Sequence, residues 1–485
     1  MKILFVTPEC VPFAKTGGLA DVTGALSKVL AQRGHEVAVV MPRYRMVEPG
    51  KAVLPSVTIT LGRQNHFPSI QNGRRIEGVR YYFVDYPPFY DRDQLYTVEG
   101  KDYPDNPERY TLFSKVVLEF AKRIFTPELI HGHDWQSAMV PVLLRTQYNA
   151  DPILSQLPFV LTIHNLGYQG LFEPEVLDRV GLLPELFTID ALEFYGQVSY
   201  LKGGIVFSNY ITTVSRKYAE EIQTPEYGHG LDGVIRVRRD CVTGILNGVD
   251  YTEWNPETDK FLVVNYSLKD ITGKQACKKD LLAQFNLPTS DLKKPLIGIV
   301  SRFAVQKGFD LIEEVADSLL QNDLYLVALG LGEPRYEELF RTLAQRFPEK
   351  VGVRIAYDNP LAHKIEGGAD MFLMPSRYEP CGLNQIYSLK YGTIPVVRAT
   401  GGLDDTIEPY QPATGRGTGF KFSAYSGPDL LESLRQALYF YTTDRKAWQK
   451  LMRNGMQKDF SWNTSAAQYE KLYRNMIRRR KKTAS

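Results

Sequence analysis

The opening of the chain alternates a strand, a helix and a second strand, and this order constrains the fold more than any other feature of the sequence. Residues 2–7 and 36–41 are short, almost continuously apolar runs. Between them, apolar side chains recur at helical spacing from Leu19 to Leu30, and Gly34 then supplies a helix stop. Strands joined through a helix run parallel, and continuously apolar strands are covered on both faces. The opening therefore predicts a parallel sheet with helices on both sides.

The second half of the chain repeats this alternation. Apolar runs predict five further buried strands, and a helical pattern covers residues 311–320. A chain of 485 residues is too long for one ordinary core, and segment 251–295, rich in Lys, Asp, Asn and Pro, interrupts the rhythm. We therefore predict an α/β fold of two Rossmann-like domains, residues 1–262 and 263–485. The five runs lie at residues 296–300, 324–329, 353–356, 371–374 and 393–397.

Polar residues collect just after the predicted strands. TGGLAD at residues 16–21 and TGGLDD at 400–405 each lie between a strand and a helix, as expected for corresponding positions in two similar domains. His164, Arg302 and Glu379 also follow strands. Ligands of open α/β sheets bind beyond the carboxyl ends of the strands. Turn chemistry explains glycines there, but not these three side chains. The pattern predicts a ligand held between the two domains.

Charge and cysteine usage exclude several classes of protein. The net charge is +3, and residues 478–482 alone carry five positive charges, so the rest of the chain lacks the basic surface of a nucleic-acid binder. The four cysteines form no CxxC pair, which argues against a zinc site or a disulfide framework. The first apolar run is too short for a signal peptide, and no run approaches the roughly 20 apolar residues of a membrane span. We expect a protein of the cytoplasm, or of a plastid-like compartment, that binds neither nucleic acid nor membrane.

The glycine pair after the first strand is suited to binding phosphate. Gly17 and Gly18 let backbone N–H groups approach an anion closely at the start of a helix, where the helix dipole also favours it. Lys15, Arg302 and Lys307 add positive charge. Each of these alone is more often a surface cation than a ligand. Together at one edge they favour a nucleotide diphosphate.

Other cofactor motifs are absent or incomplete. The best candidate for a dinucleotide fingerprint, residues 330–335, has arginine in place of the third glycine, and no P-loop is present. Asp91 and Asp93 form an Asp-x-Asp pair, but this pair lies in a loop away from the strand ends. His131, His133 and Asp134 could bind a metal, although a loop held by hydrogen bonds is the better interpretation. We expect no metal, with cationic side chains stabilising the leaving phosphate instead.

A set of motifs, in order along nearly the whole chain, resembles one family. KTGGLADV at residues 15–22 closely resembles the signature of bacterial glycogen synthases and plant starch synthases. A single TGG would be uninformative, but the ordered set is highly specific. The further motifs are YDRD at 90–93, DYPDN at 102–106, HGHDW at 131–135, TIHNLGYQG at 162–170, SR and QKG at 301–308, MPSRYEPCGLNQ at 374–385 and TGGL at 400–403.

This resemblance implies a GT-B fold, in which two Rossmann-like domains face each other across a deep cleft. It also implies a retaining transfer of glucose from ADP-glucose to the non-reducing 4-hydroxyl of an α-1,4-glucan, without a metal or other cofactor. Association with a polysaccharide granule would fit such an activity. The last helix, containing residues 469–477, is expected to cross back onto the first domain. The wider superfamily often has a second glutamate eight positions after the first, where this chain has Tyr387.

The resemblance also implies roles for individual residues. Lys15 and Gly18 would contact the nucleotide phosphates, and Arg302 and Lys307 would neutralise the departing diphosphate. His164 would lie beside the anomeric carbon. The other predicted donor-site residues are Glu379, Gly17, Asp21, Asn165, Tyr357 (stacked on adenine), Cys381, Gly382, Leu383, Asn384, Thr400, Gly401 and Gly402, and the predicted acceptor residues are Glu9, Tyr96 and Asp134.

Two alternatives remain open on the sequence. One is a transferase of the same fold that uses UDP-glucose or another acceptor. The other is a catalytically idle glucan-binding protein, which the intact set of cationic and catalytic residues argues against. No carboxylate pair stands out as nucleophile and acid. We therefore favour a front-face substitution in which the leaving phosphate takes the proton of the acceptor hydroxyl and domain closure excludes water.

Overall fold

The computed structural model describes residues 1–98 and 100–483, with the side chains of residues 480–483 outside the described part. The basic run at 478–482 therefore lies partly outside the described residues. The chain forms two compact units. Unit 1 contains Met1–Val214, Ala219–Gly248 and Trp462–Ser485, and unit 2 contains Ser215–Tyr218 and Val249–Ser461. Within the described part of the chain, no helix has the length and apolar character needed to cross a membrane.

Unit 1 is built on a nine-stranded sheet. Seven of its strands are parallel, and two antiparallel strands extend one edge. The strands of unit 1 are β1 (Lys2–Val6), β2 (Glu36–Pro42), β3 (Lys51–Leu54), β4 (Ile59–Leu61), β5 (Gln64–His66), β6 (Ser69–Ile76), β7 (Val79–Asp85), β8 (Thr97–Val98), β9 (Lys101–Asp102), β10 (Leu129–His133), β11 (Phe159–Ile163), β12 (Leu171–Phe172), β13 (Glu193–Phe194), β14 (Gln197–Ser199), β15 (Tyr210–Thr213) and β16 (Val242–Gly244).

The helices of this part of the chain connect the parallel strands. The first of them buries Leu19, Val22, Leu26 and Leu30, as the helical spacing predicts. The helices are α1 (Gly18–Gln32), α2 (Pro87–Tyr90), α3 (Asn106–Arg123), α4 (Asp134–Ser137), α5 (Met139–Arg145), α6 (Val176–Val180), α7 (Tyr200–Phe207), α8 (Arg216–Glu221) and α9 (Asp232–Val237), with 3₁₀ turns at Leu154–Gln156, Pro184–Leu186 and Arg239–Cys241.

Unit 2 contains a six-stranded sheet in which all strands are parallel. Its strands are β17 (Leu296–Val300), β18 (Tyr325–Gly330), β19 (Val351–Ile355), β20 (Met371–Met374), β21 (Ile394–Arg398) and β22 (Phe420–Phe422). Its helices are α10 (Gly273–Gln284), α11 (Phe309–Leu320), α12 (Pro334–Arg346), α13 (Asn359–Gly368), α14 (Asn384–Lys390), α15 (Gly401–Thr406), α16 (Gly427–Thr443) and α17 (Arg445–Met456), with a 3₁₀ turn at Val305–Lys307, and α18 (Trp462–Thr483) then returns to unit 1.

The strand orders place a reversal point in each sheet. The parallel part of unit 1 has the order β7-β2-β1-β10-β11-β15-β16, and unit 2 has the order β19-β18-β17-β20-β21-β22. The direction of winding changes between β1 and β10 in the first sheet and between β17 and β20 in the second. In doubly wound folds the ligand crevice lies at this point, at the carboxyl ends of the strands. The loops that follow β1, β10, β17 and β20 are therefore the candidate ligand-binding loops.

Each apolar run predicted to be a strand forms a parallel strand, but the parallel strands β7, β10, β15, β16 and β22 and the antiparallel edge of unit 1 were not predicted. Apart from the buried Ile70, the side chains of β6 are half-buried or exposed, and all of β3 is exposed or half-buried. An edge exposed to solvent does not produce the continuous apolar signal by which the buried parallel strands were recognised.

The chain passes from unit 1 to unit 2 at Gly248, whereas the composition placed the domain boundary at residue 262. The polar segment after Gly248 contains anchors that are buried in unit 2. Asp259 accepts hydrogen bonds from the buried His363 and Tyr391, at 2.8 and 2.5 Å. The polar composition of this segment suggests a linker, because composition alone does not show that its polar side chains are hydrogen-bonded within unit 2.

The last helix, α18, belongs to unit 1 and packs on α1. The Tyr473 hydroxyl lies 2.7 Å from Nδ1 of the buried His131. Glu470 pairs with Arg33 and His35 near the end of α1. The sequence predicted such a return for residues 469–477, and these contacts fix it.

Candidate functional site

The loop between β1 and α1 is held by a buried carboxylate. Glu9 is 3% exposed and accepts hydrogen bonds from the backbone N–H and the hydroxyl of Thr16. Burial raises the pKa of Glu9, although the hydrogen bonds from Thr16 and Gly17 oppose this shift. The carboxyl group therefore fixes the conformation of the loop that carries Lys15 and the glycine pair.

The glycine pair lies beside open space at the N-terminus of α1. Gly17 is the N-cap residue and its cap position has no side-chain hydrogen bond. A Cβ at Gly17 or Gly18 would meet no atom within 4 Å. Lys15 and Asp21 form an exposed ion pair across this turn, with Nζ and Oδ2 2.8 Å apart. Since packing within the protein does not require these glycines, the free space beside the helix N-terminus is suited to an anion.

Two histidines, the buried His133 and the half-buried His164, meet at the carboxyl ends of β10 and β11. His133 Nδ1 lies 3.0 Å from His164 Nε2. Burial lowers the pKa of His164 to about 3 and also holds the pKa of His133 well below its usual value. Both rings are therefore neutral near pH 7. His164 can donate or accept a hydrogen bond there, but it does not carry a positive charge.

Asp134 orients the loop that contains His164. Its Oδ1 accepts a hydrogen bond of 2.7 Å from the backbone N–H of His164, and Asn165 N–H also contributes to holding the carboxyl group. The backbone of Asp134 has φ of 53°, a left-handed conformation that is uncommon for a residue other than glycine. Burial raises the pKa of Asp134 to about 7.

The three predicted acceptor residues lie within electrostatic range of one another. Glu9 and Asp134 both raise the pKa of Tyr96, and Glu9 raises that of Asp134. The Tyr96 hydroxyl is buried and has no hydrogen-bond partner in the described part of the chain. Unit 1 thus brings a phenol and two carboxyl groups together beside the loop that precedes α1. Such groups suit recognition of hydroxyl-rich ligands.

In unit 2, an ion pair joins the loops after β17 and β20. Lys307 Nζ lies 2.6 Å from Oε2 of Glu379, and the same oxygen accepts a hydrogen bond of 3.0 Å from Ser376. The side chains of Lys307 and Glu379 are 20% and 8% exposed. Glu379 therefore fixes the position of the ammonium group at the reversal point of the sheet.

Arg302 and Tyr357 are exposed side chains at the same edge of unit 2. Arg302 follows β17, and within residues 1–98 and 100–483 its side chain forms no ion pair. Tyr357 follows β19 and is 80% exposed. An unpaired guanidinium and an open aromatic face are the groups expected for phosphate and for a base, respectively.

The second glycine pair differs from the first in its surroundings. Thr400 is the N-cap of α15, which begins at Gly401. A Cβ at Gly401 would lie 1.9 Å from the carbonyl oxygen of Glu379, and one at Gly402 would lie 1.9 Å from that of Cys381. These glycines let the Glu379 loop approach the helix, so their role is explained by packing alone. The similar sequences therefore occupy similar positions with different physical requirements.

The loop from Cys381 to Asn384 is held in place by hydrogen bonds to its backbone carbonyl groups. Gln385 Nε2 donates to the carbonyl groups of Cys381 and Gly382, both at 3.1 Å. Gly382 has φ of 68°, in the left-handed region. Leu383 and Asn384 are half-buried. The predicted donor residues of this loop are thus presented by a fixed backbone.

Three residues that the sequence singled out have partners within the protein. Tyr387, which stands where the wider superfamily often has glutamate, stacks on Trp254 with ring centroids 4.0 Å apart. Asp91 and Asp93 are both paired with Arg45. The predicted donor and acceptor residues did not include Thr16, His133 and Ser376, although all three lie inside the quoted motifs. The sequence does not show that they contact Glu9, His164 and Glu379, respectively.

Comparison with known proteins identifies the family. A family model described as "Starch synthase catalytic domain" matches residues 2–237, and one described as "Glycosyl transferases group 1" matches residues 283–453. A glycogen synthase of Koribacter versatilis is 56% identical over 475 residues, which cover 98% of both chains. The chain belongs to the glycogen and starch synthase family.

Further relatives agree with this assignment. A glycogen synthase of Thermotoga maritima is 44% identical over 98% of this chain and 99% of its own. The catalytic domain of starch synthase IV from Arabidopsis thaliana, solved with ADP and acarbose, is 33% identical with a TM-score of 0.88, covering 98% of this chain and 99% of that one. A sucrose-phosphate synthase of Thermosynechococcus elongatus, 18% identical with a TM-score of 0.60 and covering 98% and 99%, shares the fold.

These findings confirm the predicted family, enzyme class and GT-B fold class. The protein is a glycosyltransferase of glycogen or starch synthesis, an activity that joins a nucleotide-sugar donor to a glucan acceptor. The roles of individual site residues stay predictions, and so does the absence of a cofactor.

Proposed function

We propose that this glycogen or starch synthase homologue transfers glucose from ADP-glucose to the non-reducing 4-hydroxyl of an α-1,4-glucan, with retention at the anomeric carbon, and that it acts in the cytoplasm. The observation that carries the donor assignment is the pair of cationic side chains on the loop after β17. Arg302 is exposed and forms no ion pair with the residues that the structure describes, and Lys307 is fixed by Glu379. A dianionic leaving group needs such charges at the strand ends. Association with a polysaccharide granule stays a prediction.

The preference for an adenine nucleotide is supported by two observations. Tyr357 presents an aromatic face that is 80% exposed beyond β19. The similar starch synthase structure was solved with ADP. A planar exposed ring can stack on a purine, which has a larger face than a pyrimidine.

The proposed chemistry breaks the bond between the anomeric carbon and the diphosphate oxygen and forms the new bond to the acceptor oxygen on the same face of the sugar. The acceptor 4-hydroxyl loses its proton to the leaving phosphate. Lys307 and Arg302 stabilise the negative charge that develops on this phosphate. His164 is neutral, so it serves as a hydrogen-bonding group near the reacting carbon and does not supply a charge.

Metal independence follows in this proposal from the cationic side chains. Asp91 and Asp93, the Asp-x-Asp pair of the sequence, both contact the Arg45 guanidinium. The two carboxylates thus share the single positive charge of Arg45, on the loops that follow the parallel strands β2 and β7. The sequence placed this aspartate pair away from the strand ends, whereas the structure places it beyond the carboxyl end of β7.

The test is a chain-growth assay with a maltooligosaccharide primer and either ADP-glucose or UDP-glucose. We expect kcat/KM to be higher with ADP-glucose, the new linkage to be α by NMR, and turnover to survive EDTA. An equal or higher kcat/KM with UDP-glucose would contradict the donor assignment. Loss of turnover in EDTA that Mg²⁺ or Mn²⁺ restores would contradict the proposed role of the cationic side chains.

A further inference from the structure

His133 is a buried imidazole to which the transfer reaction described above gives no role. It is the last residue of β10 and has no exposed surface. Its ring stacks on that of Phe5, with ring centroids 5.6 Å apart and planes 15° apart. Its Nδ1 lies 3.0 Å from Nε2 of His164, whereas its Nε2 has no hydrogen-bond partner in the described part of the chain. A buried ring nitrogen without a partner needs an explanation.

The neighbouring His131 ring cannot supply the missing partner. Its centroid lies 4.3 Å from that of His133. However, its Nδ1 lies 2.7 Å from the hydroxyl of Tyr473, and its Nε2 lies 2.6 Å from the hydroxyl of Thr162. Both nitrogens of His131 are therefore occupied, and this ring has no donor or acceptor left for His133.

The unpartnered nitrogen decides the direction of the hydrogen bond between His133 and His164. Both rings are neutral near pH 7, so each has one donor and one acceptor. If His164 donated from Nε2, His133 would carry its own proton on Nε2, where it meets no acceptor. If His133 donates from Nδ1, only a bare nitrogen is left without a partner. Buried N–H groups without an acceptor are rare in proteins, so the bond runs from His133 to His164.

This direction determines what the His164 ring offers to a ligand. Because Nε2 of His164 accepts, the single proton of the neutral ring lies on Nδ1. The ring is half-buried, and its Nδ1 has no hydrogen-bond partner among the described residues of unit 1. The backbone N–H of His164 is held separately by Oδ1 of Asp134, at 2.7 Å. The free Nδ1–H group is thus available to a bound molecule.

We propose that His133 is a positioning residue for the transfer reaction: it donates a hydrogen bond to Nε2 of His164 and thereby holds the tautomer that presents Nδ1–H to the bound sugar nucleotide. This inference deepens the proposed function and rests on it for the place of His164 beside the reacting sugar. Diphosphate oxygens and the sugar ring oxygen only accept hydrogen bonds, and hydroxyl groups also can. An N–H group therefore suits every oxygen of the donor, whereas the other tautomer would direct a lone pair at them.

The direct test is ¹⁵N NMR of the ligand-free protein at pH 7, with its histidine rings labelled. Protonated and bare nitrogens of a neutral imidazole resonate at well-separated shifts. The chain contains seven histidines, and His164→Asn identifies the signals of His164 by their loss. We expect His164 to be protonated at Nδ1 and bare at Nε2. The opposite tautomer would overturn the proposal, whichever sugar nucleotide the enzyme uses.

Two substitutions of nearly equal shape separate the hydrogen bond from packing. In His133→Asn the amide nitrogen is attached to Cγ, as ring Nδ1 is, so it can still donate to His164. His133→Leu has the same branching but cannot donate. We expect His133→Leu to lower kcat by about tenfold or more with KM changed less than about twofold, and His133→Asn to keep kcat within about threefold of wild type. The His164 proton should be distributed over both nitrogens in His133→Leu.

The matched control is His66→Leu, which removes a half-buried histidine of β5 in the same unit. Its Nδ1 lies 3.0 Å from the hydroxyl of Tyr86, so the control also loses one hydrogen bond of a ring nitrogen. We expect it to keep the wild-type kcat and the wild-type signals of His164.

Equal kcat in folded His133→Asn and His133→Leu would overturn the proposal, because the donated hydrogen bond would then make no difference. A lower kcat in His133→Leu with the His164 tautomer unchanged would show a merely structural role and would also overturn it. If His133→Leu does not fold, the wild-type spectrum and the kcat of His133→Asn decide the matter. Failure of wild type to use ADP-glucose would refute the proposed donor but not the positioning role, since the spectrum needs no donor and kcat can be compared with the sugar nucleotide that is accepted.

Discussion

Lys307 and Glu379 show, at the scale of single residues, how the donor half-site is prepared before a ligand arrives. Their charged groups lie 2.6 Å apart and are mostly buried. Removing one partner of such a pair leaves the other uncompensated, so its effect on activity is mixed with an effect on stability. Arg302, exposed and without an ion pair in the described chain, does not have this complication. The two cations are therefore separable by experiment.

We expect Arg302→Ala and Lys307→Ala each to lower kcat by about a hundredfold, or about 3 kcal/mol, because the lost cation stabilises charge that develops in the transition state. Lys307→Ala should also lower the melting temperature, whereas Arg302→Ala should not. The measurement is kcat at saturating ADP-glucose, with folding checked by circular dichroism and glucan binding measured separately. Arg435→Ala, on the exposed face of α16, is the control. Near-wild-type kcat in folded variants would refute the assignment, and lost glucan affinity would mean that donor and acceptor sides are exchanged.

The two glycine pairs provide a second prediction for single residues. Gly18→Ala places a methyl group in open space, so the fold should be unaffected while ADP affinity falls at least tenfold. Gly402→Ala forces a Cβ against the Cys381 carbonyl oxygen, and we expect it to cost about 1–3 kcal/mol of stability. Calorimetry with ADP and thermal unfolding of both variants measure the two effects. Unchanged ADP affinity in Gly18→Ala would show that no ligand occupies the space beside α1.

At the scale of elements, α18 is held on unit 1 by polar contacts at its buried face. The Tyr473 hydroxyl contacts Nδ1 of His131, and Nε2 of the same ring lies 2.6 Å from the hydroxyl of Thr162. Burial lowers the pKa of His131 to about 3. The neutral ring has one donor and one acceptor, so the two hydroxyl groups satisfy it completely. The helix thus completes a hydrogen-bond network that begins in β10 and β11.

Tyr473→Phe leaves one nitrogen of the buried His131 ring without a partner. We expect this variant to lose about 1–3 kcal/mol of stability and α18 to exchange its amide hydrogens faster. Thermal unfolding and hydrogen exchange followed by mass spectrometry check both effects. Tyr439→Phe, which removes a hydroxyl from a ring that is 60% exposed, is the matched control. Equal melting temperatures for the two variants would show that the contact to His131 contributes nothing to the docking of the helix.

At the scale of the whole molecule, the two units repeat one plan but differ in their buried titratable groups. Each sheet reverses its winding at its central pair of strands, and the polar loops follow those strands. In unit 1 three histidines with lowered pKa and two carboxyl groups with raised pKa surround that point. In unit 2 the corresponding loops are joined by an ion pair. Unit 1 should therefore be the more sensitive of the two to acid.

The sign of this effect follows from proton binding. As the pH falls below 6.5, the unfolded chain protonates His131, His133 and His164, whereas the native protein keeps them neutral until much lower pH, so stability is lost. Asp134 and Glu9 act in the opposite sense, since the native state binds their protons at higher pH than the unfolded chain. The three histidines outnumber the two carboxyl groups, so we expect the net effect to be a loss of stability as the pH falls from 6 to 5.

We expect hydrogen-exchange protection of β10 and β11 to decrease from pH 7 to pH 5 after correction for intrinsic exchange. Protection of β17 and β18 in unit 2 should decrease less and serves as the internal control. Equal changes in the two units would contradict the role of the buried histidines, and a gain of protection in β10 and β11 would show that the carboxyl groups dominate.

The sequence by itself determined the alternation of strands and helices, those parallel strands that are continuous apolar runs, and the edge at which polar residues gather. These features follow from local periodicity and from the rule that strands joined by helices run parallel, so apolar runs such as residues 2–7 and 296–300 were sufficient. The ordered motifs also identified the family, since each motif is a local string of residues. The exposed edge strand β3 and the buried polar segment around Asp259 lacked such a local signal.

Only the tertiary structure decided which polar groups became partners and which of them carry charge. Lys307 and Glu379 are 72 residues apart in the chain, and His131 and Tyr473 are 342 apart. The neutral state of His164 and the raised pKa of Asp134 come from burial, which many distant residues create together. The strand order that places β1 beside β10 and β17 beside β20 likewise depends on contacts between remote segments. Periodicity reports a residue's own neighbours along the chain, whereas pairing and desolvation are set by neighbours in space.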